Sequence, residues 1–386
     1  MRRIIIILAI ISIPLAAAIP TQDNLWYGQY LALLVFLGLY GSLAIWKFNK
    51  YISLFMLLCL SSVIYPGRMG TRAIFLLATL YGAIYGIYGV SKLGKRSGIS
   101  LAIASLTLFM GGYLLIQYFN LDPFFDLIGD TSKDGMYSFL GANNQVGSFF
   151  AITMPFAIKH FRLKGFPIIL PFSLLGLYIS KSSFAIMAVC IGMSFYYFFK
   201  NRKLFKKIFV GLLILGFIYV FKIDRVKEAD FSTRFNVWKY AIASTIKGRM
   251  EVNIFGANRI AVARPCLGFG FSNWSAFFTR VPQRDRGFNY VNEKFRHAHN
   301  DFVEGFFEMG IPFAAIGLLF YLNLFRRFLR AKKTDELLMF SSAFVIFSVN
   351  ATGNFICHLA YSGLLLIVIL GLLFGELKER EFVRYG

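Results

Sequence analysis

The chain of 386 residues is 57% hydrophobic and 18% aromatic, with a mean hydropathy of +0.62 and a formal net charge of +22. That is more apolar surface than a soluble core of this length can hide, which excludes a water-soluble globule and predicts a polytopic membrane protein. The basic excess supports no nucleic-acid role, because 23 of the 41 Lys and Arg residues lie in short segments between apolar runs, where they meet anionic lipid headgroups.

Apolar runs follow one another at about 4–20, 26–46, 51–65, 72–90, 98–118, 145–158, 166–180, 182–199, 208–221, 302–325, 337–356 and 359–375. Read as spans, they predict an all-α membrane protein of about 12 transmembrane helices, forming one integral domain over residues 1–386. Bases cluster at MRR, KFNK, KLGKR, KHFRLK, KNRKLFKK, RRFLRAKK and KEREFVR, which is every second connection. The positive-inside rule then puts both termini in the cytoplasm. The first run, with AAA at 16–18, also has the pattern of a cleavable signal peptide, and either outcome leaves the later topology unchanged. Cys59, Cys190, Cys266 and Cys357 are isolated in sequence and read as small core residues rather than a disulfide framework. Asp122, Asp126, Asp130 and Asp134 read as a solvated acidic loop, and no Asp-x-Asp pair occurs.

Residues 222–301 form one long extracytoplasmic loop between helices 9 and 10. Its stretch 222–296 holds fourteen Lys or Arg against six Asp or Glu. Long loops cross a membrane whatever their charge, so this excess is not a topology signal. It suits either lipid phosphates or an anion site in which guanidinium forks hold paired phosphate oxygens. Within it, STRFNVWKYAIASTI spaces Phe235, Trp238, Ala241, Ile242 and Ile246 as an amphipathic helix on the membrane surface. Ser232 or Thr233 would cap that helix, with Arg234 in its first turn. The next segment, RPCLGFGFSNW, reads as a tight irregular turn.

The segment FRHAHNDFVEGFFEMG, at 295–310, places His297 and His299 before an apolar run. A His pair raises the question of zinc, but a site needs three or four ligands, so no metal and no cofactor are expected. The spacing favours His299 as a general base in a confined outward-facing cleft. A helix from about His299 would carry Asp301, Glu304 and Glu308 on one face, with Glu308 some two turns into the membrane, where carboxylates are functional suspects.

HAHNDFVEGFFEMGIP resembles the signature of the O-antigen ligase and polymerase superfamily of bacterial envelope enzymes, in which His-Asn is followed after nine residues by Gly-x-x-Gly. Here His299, Asn300 and Gly310 match, while Phe313 replaces the last Gly. GANNQVGSFFAITMPFA at 141–157, with Asn143 and Asn144, is similar to the family's Asn-x-x-Ala-type helix. TRFNVWKYA resembles its Arg-x-x-x-Trp segment, and RPCLGFG its Pro-x-x-Gly-x-Gly turn. The chain departs from family ligases at Ser183, which stands where they carry an Arg; Lys181 lies two residues earlier.

The resemblance implies metal-independent, inverting transfer of a glycan from a polyprenyl (undecaprenyl) pyrophosphate carrier to an acceptor hydroxyl, at the outer face of the bacterial inner membrane. The acceptor of a ligase would be lipid A-core; the alternative is polymerisation of polysaccharide repeat units. In this reading His299, Arg234 and Glu308 are catalytic, and Arg264, Lys181, Asn300, His297, Asn143 and Asn144 bind substrate. Arg234, Arg264 and Lys181 would neutralise charge on the leaving pyrophosphate, while Asn300 and Glu308 would position the acceptor. A transporter or flippase is the rival class, although no similarity between two halves of the chain supports it.

Overall fold

The computed structural model describes residues 83, 86–93, 96–119, 121, 143–160, 162–163, 166–206, 209–210, 230–254, 257–263, 265–270, 274, 298–354, 356–358 and 360–382. The apolar runs at 4–20, 26–46, 51–65 and 208–221 and most of that at 72–90 lie outside them, as do Cys59, Asp122 to Asp134, Arg264 and His297, apart from residues 209–210 of the fourth run.

The described chain is mostly helical. Its elements are α1 (Ser97–Tyr118), α2 (Asn143–Lys159), the short hairpin β1 (Arg162–Leu163) and β2 (Phe166–Pro167), α3 (Leu170–Ser180) and α4 (Ser183–Lys200). There follow α5 (Asp230–Lys247), β3 (Arg249–Ile254), β4 (Ala257–Val262), α6 (Asp301–Arg330), α7 (Asp335–Ala351), a 3-10 turn at Ile356–His358 and α8 (Ala360–Phe382). Four helical stretches are long and apolar enough to cross a membrane among the described residues: Ser97–Tyr118, Ser183–Lys200, Asp301–Arg330 and Tyr361–Glu379. The protein is therefore a multi-pass membrane protein.

Two apolar cores are present. The larger joins α1, α2, α3, α4, α7 and α8 with the far end of α6, through side chains such as Phe149, Phe156, Phe340, Ile346 and Leu372. Lipid is as apolar as leucine, so close packing and hydrogen bonds, rather than escape from water, hold such helices together. At the α4–α7 crossing a Cβ on Gly192 would lie 2.2 Å from Ile346, and Ser342 Oγ donates to the Gly192 carbonyl at 2.7 Å. Only glycine admits that approach.

One end of this bundle gathers charge. Arg96 donates from Nη1 to Glu376 Oε2 at 2.8 Å and from Nη2 to Glu379 Oε1 at 2.7 Å, while Thr334 Oγ1 donates to Glu376 Oε1 at 3.0 Å. Thr334 also caps α7, accepting from Leu337 N–H at 3.2 Å, and Asp335 and Glu336 occupy the positive first turn of that helix. Lys159 pairs with Glu336 and Lys200 with Asp335. Four of the basic connections marked in the sequence thus meet at one end, together with the KEREFVR end of α8. Arg96 and Glu376 are both nearly buried, with side chains 6% and 5% exposed. Replacing Glu376 by Ala is expected to cost about 2 kcal/mol, because Glu379 retains part of the guanidinium's pairing. Thermal unfolding in detergent measures the loss.

The smaller core joins the long loop to the start of α6. Val237 and Ala241 of α5, Met250, Ala263, Phe269, Trp274, Ala298 and Phe307 make it up, with Trp238 and Val303 packed on its edge. β3 and β4 pair antiparallel from Arg249↔Val262 to Ile254↔Ala257. The described part of the loop is accordingly folded around this core.

The cysteines differ from expectation. Cys190 and Cys266 are half-buried and Cys357 is exposed, so none of these three is a core residue.

Candidate functional site

α5 carries the first two site residues. It begins at Asp230, ahead of Ser232 and Thr233, so neither is the terminal cap and Arg234 lies beyond the first turn. The reason lies upstream of the apolar stripe: Asp230 and Phe231 already take helical conformation. The stripe itself splits in two. Val237, Ala241 and Ser244 face the small core, while Phe235, Ile242 and Ile246 are exposed. Arg234 Nη1 donates to the Gly353 carbonyl at 3.0 Å, and one turn later Trp238 Nε1 donates to the Ala298 carbonyl at 2.7 Å.

Ala298 immediately precedes His299 and is held on both sides. Its carbonyl takes the Trp238 indole, and its N–H donates to Glu304 Oε2 at 2.8 Å. On the other flank Asn300 caps α6, its Oδ1 accepting from Phe302 N–H and Val303 N–H, both at 3.0 Å. Between these anchors His299 adopts a left-handed backbone, φ 52°. That conformation costs a non-glycine residue of the order of 1 kcal/mol, and the two anchors supply the constraint that keeps it. The half-buried imidazole is thereby fixed at the mouth of α6, close to where the sequence predicts the helix to start.

The three carboxylates of the signature do not line up as a free acidic face. Asp301 Oδ2 accepts from Cys357 N–H at 2.9 Å, Glu304 accepts from Ala298 N–H, and Glu308 Oε1 accepts from Trp274 N–H at 3.0 Å. Glu304 and Glu308 are 3% and 5% exposed. Each therefore binds a backbone amide of a different segment, and Glu308 ties down the chain at Trp274. Asn300, marked as a substrate ligand, spends its side-chain oxygen on the helix cap.

α6 is two helices. Gly310 has φ 65° and ψ −152°, and Pro312 lacks the N–H that would pair with the Glu308 carbonyl. Such a break leaves backbone groups unpaired, which a membrane does not tolerate unless protein supplies partners. The turn at 265–270 supplies them. Phe269 N–H donates to Phe307 O at 2.9 Å, Gly270 N–H to Glu308 O at 2.8 Å, and Ile311 N–H to Cys266 O at 2.8 Å. Phe269 also stacks on Phe307, with centroids 4.7 Å apart. Gly268 has φ 81°, and a Cβ there would lie 2.4 Å from the Glu308 oxygen. The tight turn and the Gly310 position of the signature are thus one joint, docked backbone to backbone.

The connection between α7 and α8 completes the site. Gly353, which receives Arg234, sits on the ring of Phe184: an added Cβ would lie 2.0 Å from it. Phe184 follows the Lys181 turn, where Lys181 is exposed and left-handed at φ 49°. Lys181, Arg234 and His299 are therefore brought to the same end, opposite the ion-paired one. Ser183 is the exposed first residue of α4. Asn143 and Asn144 open α2, whose Gln145 carbonyl accepts from Tyr361 Oη at 3.0 Å at the start of α8. An open, apolar cleft of about 500 Å³ runs beside Asn300 and Thr352, walled by Ile242, Phe302, Val303 and Phe306.

Residues 168–322 match the O-antigen ligase family model. The match runs from the start of α3 through the loop unit to the inner half of α6, and it bears out, over that segment, the superfamily resemblance carried by the motifs. It includes Lys181, Arg234, Arg264, His297, His299, Asn300 and Glu308, and it leaves out Asn143 and Asn144. No curated protein matches the chain. An O-antigen ligase-type segment points to a glycan-transferring membrane enzyme acting between a lipid-linked donor and an acceptor.

Two residues that the motif reading did not assign emerge from the geometry: Trp238 and Glu304, which hold the peptide ahead of the imidazole. The signal was present in the Arg-x-x-x-Trp spacing, since residues four apart share a helix face. Trp238→Phe keeps the ring and removes the donor to Ala298. We expect it to lower the turnover of glycan transfer about tenfold, by loss of alignment, with little change in membrane insertion. Glu304→Gln, which keeps an acceptor for Ala298 N–H, should retain most activity in the same assay.

Proposed function

We propose that the protein is an inverting, metal-independent glycosyltransferase that moves a glycan from a polyprenyl pyrophosphate carrier to an acceptor hydroxyl at the outer face of the bacterial inner membrane, with both termini cytoplasmic. Its best-supported form is O-antigen ligase-like, with lipid A-core as acceptor. One observation carries the reading: Arg234 and Trp238, roughly 6 Å apart along α5, are bonded to the two segments that bear Gly353 and His299. A guanidinium suited to pyrophosphate and an imidazole suited to a hydroxyl are hung on one rigid ruler.

In the reaction, the acceptor oxygen attacks the anomeric carbon, its proton passes to His299, and the bond from that carbon to the pyrophosphate oxygen breaks. Arg234, together with Lys181 and Arg264, stabilises the negative charge that grows on the departing polyprenyl pyrophosphate. His297, Asn143 and Asn144 contribute polar contacts to the glycan, and Asn300 and Glu308 act by fixing the frame around His299. The apolar cleft beside Asn300 suits the first isoprene units of the carrier. Purified protein given a polyprenyl-pyrophosphate glycan and a lipid A-core acceptor should yield a heavier acceptor by mass spectrometry. Carrier or solute movement across sealed vesicles with no new glycosidic bond would sink the proposal in favour of a transporter.

Ser183 favours a second reading. With a hydroxyl in place of the guanidinium that family ligases carry on this turn, and only the point charge of Lys181 nearby, a repeat-unit polymerase is the alternative. Its product would be a lengthened glycan on the carrier instead of a capped acceptor.

A further inference from the structure

The connection at 352–358 contains none of the motifs of the signature, yet it touches two of the elements that carry the site. Three hydrogen bonds close a circuit: Trp238 of α5 to Ala298 at 2.7 Å, Cys357 N–H to Asp301 of α6 at 2.9 Å, and Arg234 of α5 back to Gly353 at 3.0 Å. Phe184 supports the circuit from below, packed where Gly353 has no side chain. Asn300 and Thr352, one from each side of the Asp301 link, both line the same apolar cleft.

We infer that Asp301 is a positioning residue, which holds the 352–358 connection against the start of α6 so that the Gly353 carbonyl keeps the Arg234 guanidinium aimed at the pyrophosphate of the donor. The inference rests on the glycan-transfer reading given above. Asp301 stands two residues after His299 and meets main-chain amides of the connection at Ile356 and Cys357, so its contribution is acceptance of N–H groups rather than negative charge. Without it, the connection can draw away from α6, the cleft between Asn300 and Thr352 widens, and Arg234 loses its backbone rest.

Asp301→Ala and Asp301→Asn separate this role from the alternatives. With lipid-linked donor varied at saturating acceptor, Asp301→Ala should raise the donor KM roughly tenfold with a smaller fall in kcat, as expected for lost ground-state and transition-state binding alike. Asp301→Asn, whose amide oxygen accepts the same N–H, should stay within about threefold of the parent. Hydrogen exchange at residues 356–358 should quicken in the alanine variant and remain near the parent in the asparagine variant. Equal impairment of both variants overturns the inference, since it makes the carboxylate charge itself the requirement. Faster exchange in the alanine variant with unchanged kinetics overturns it too, leaving a purely structural contact. A parent protein that transfers no glycan refutes the underlying reading instead, and the exchange experiment then decides whether Asp301 holds the connection.

Discussion

Replacing His299 by Ala is expected to lower glycan transfer by about a thousandfold, with the protein still inserted in the membrane. The imidazole is the group placed to take the hydroxyl proton, and positioned general bases contribute roughly 10²–10⁴ in rate. The backbone confuses the comparison unless it is controlled, because His299 is left-handed at φ 52° and alanine tolerates that conformation poorly. Asparagine tolerates it well. His299→Asn should therefore preserve the loop, judged by unchanged thermal unfolding, and still be inactive. Transfer within tenfold of the parent in the asparagine variant removes the general base from the mechanism.

Gly310→Ala should be the most destabilising single change in the outer half of the protein. At φ 65° and ψ −152° the backbone lies in a region that is essentially restricted to glycine, and a Cβ would come 2.0 Å from the Cys266 carbonyl oxygen. Strain and overpacking together cost about 3–5 kcal/mol. To relieve them, the 265–270 turn must leave α6, which abandons the amides that complete the Phe307 and Glu308 carbonyls and the Cys266 carbonyl that completes the Ile311 N–H. The expected result is a protein that inserts but loses the loop unit, seen as rapid proteolysis between residues 222 and 298 and absence of transfer. Parent-like protease resistance would show that the joint is not what holds the loop.

Much of the bundle was legible because a membrane span writes itself as an apolar run. The runs at 98–118, 182–199 and 359–375 lie within a residue of the starts of α1, α4 and α8. α5 was legible in its spacing but not in its orientation. Periodicity marks an apolar stripe; it does not say that Val237 and Ala241 would take the core while Phe235, Ile242 and Ile246 stay exposed. The β3–β4 hairpin went unread, since the sequence between its strands is Phe-Gly rather than the Asn-Gly or Asp-Gly that marks a hairpin, and Arg259 interrupts the apolar alternation. In the site, His299, Arg234 and Gly310 stood out by type. The partners of Asp301, Glu304 and Glu308 did not, because each is a main-chain amide, which has no letter in the sequence.

The broken α6 also implies an order of assembly. Its inner part, from Ile311 to Arg330, has its own apolar length and can settle in lipid unaided, whereas the outer part is completed by a turn that precedes it in the chain. That turn has left the ribosome before the histidine helix can close. On the proposed topology, export of the loop therefore comes first, and the end of the molecule proposed to react is finished last.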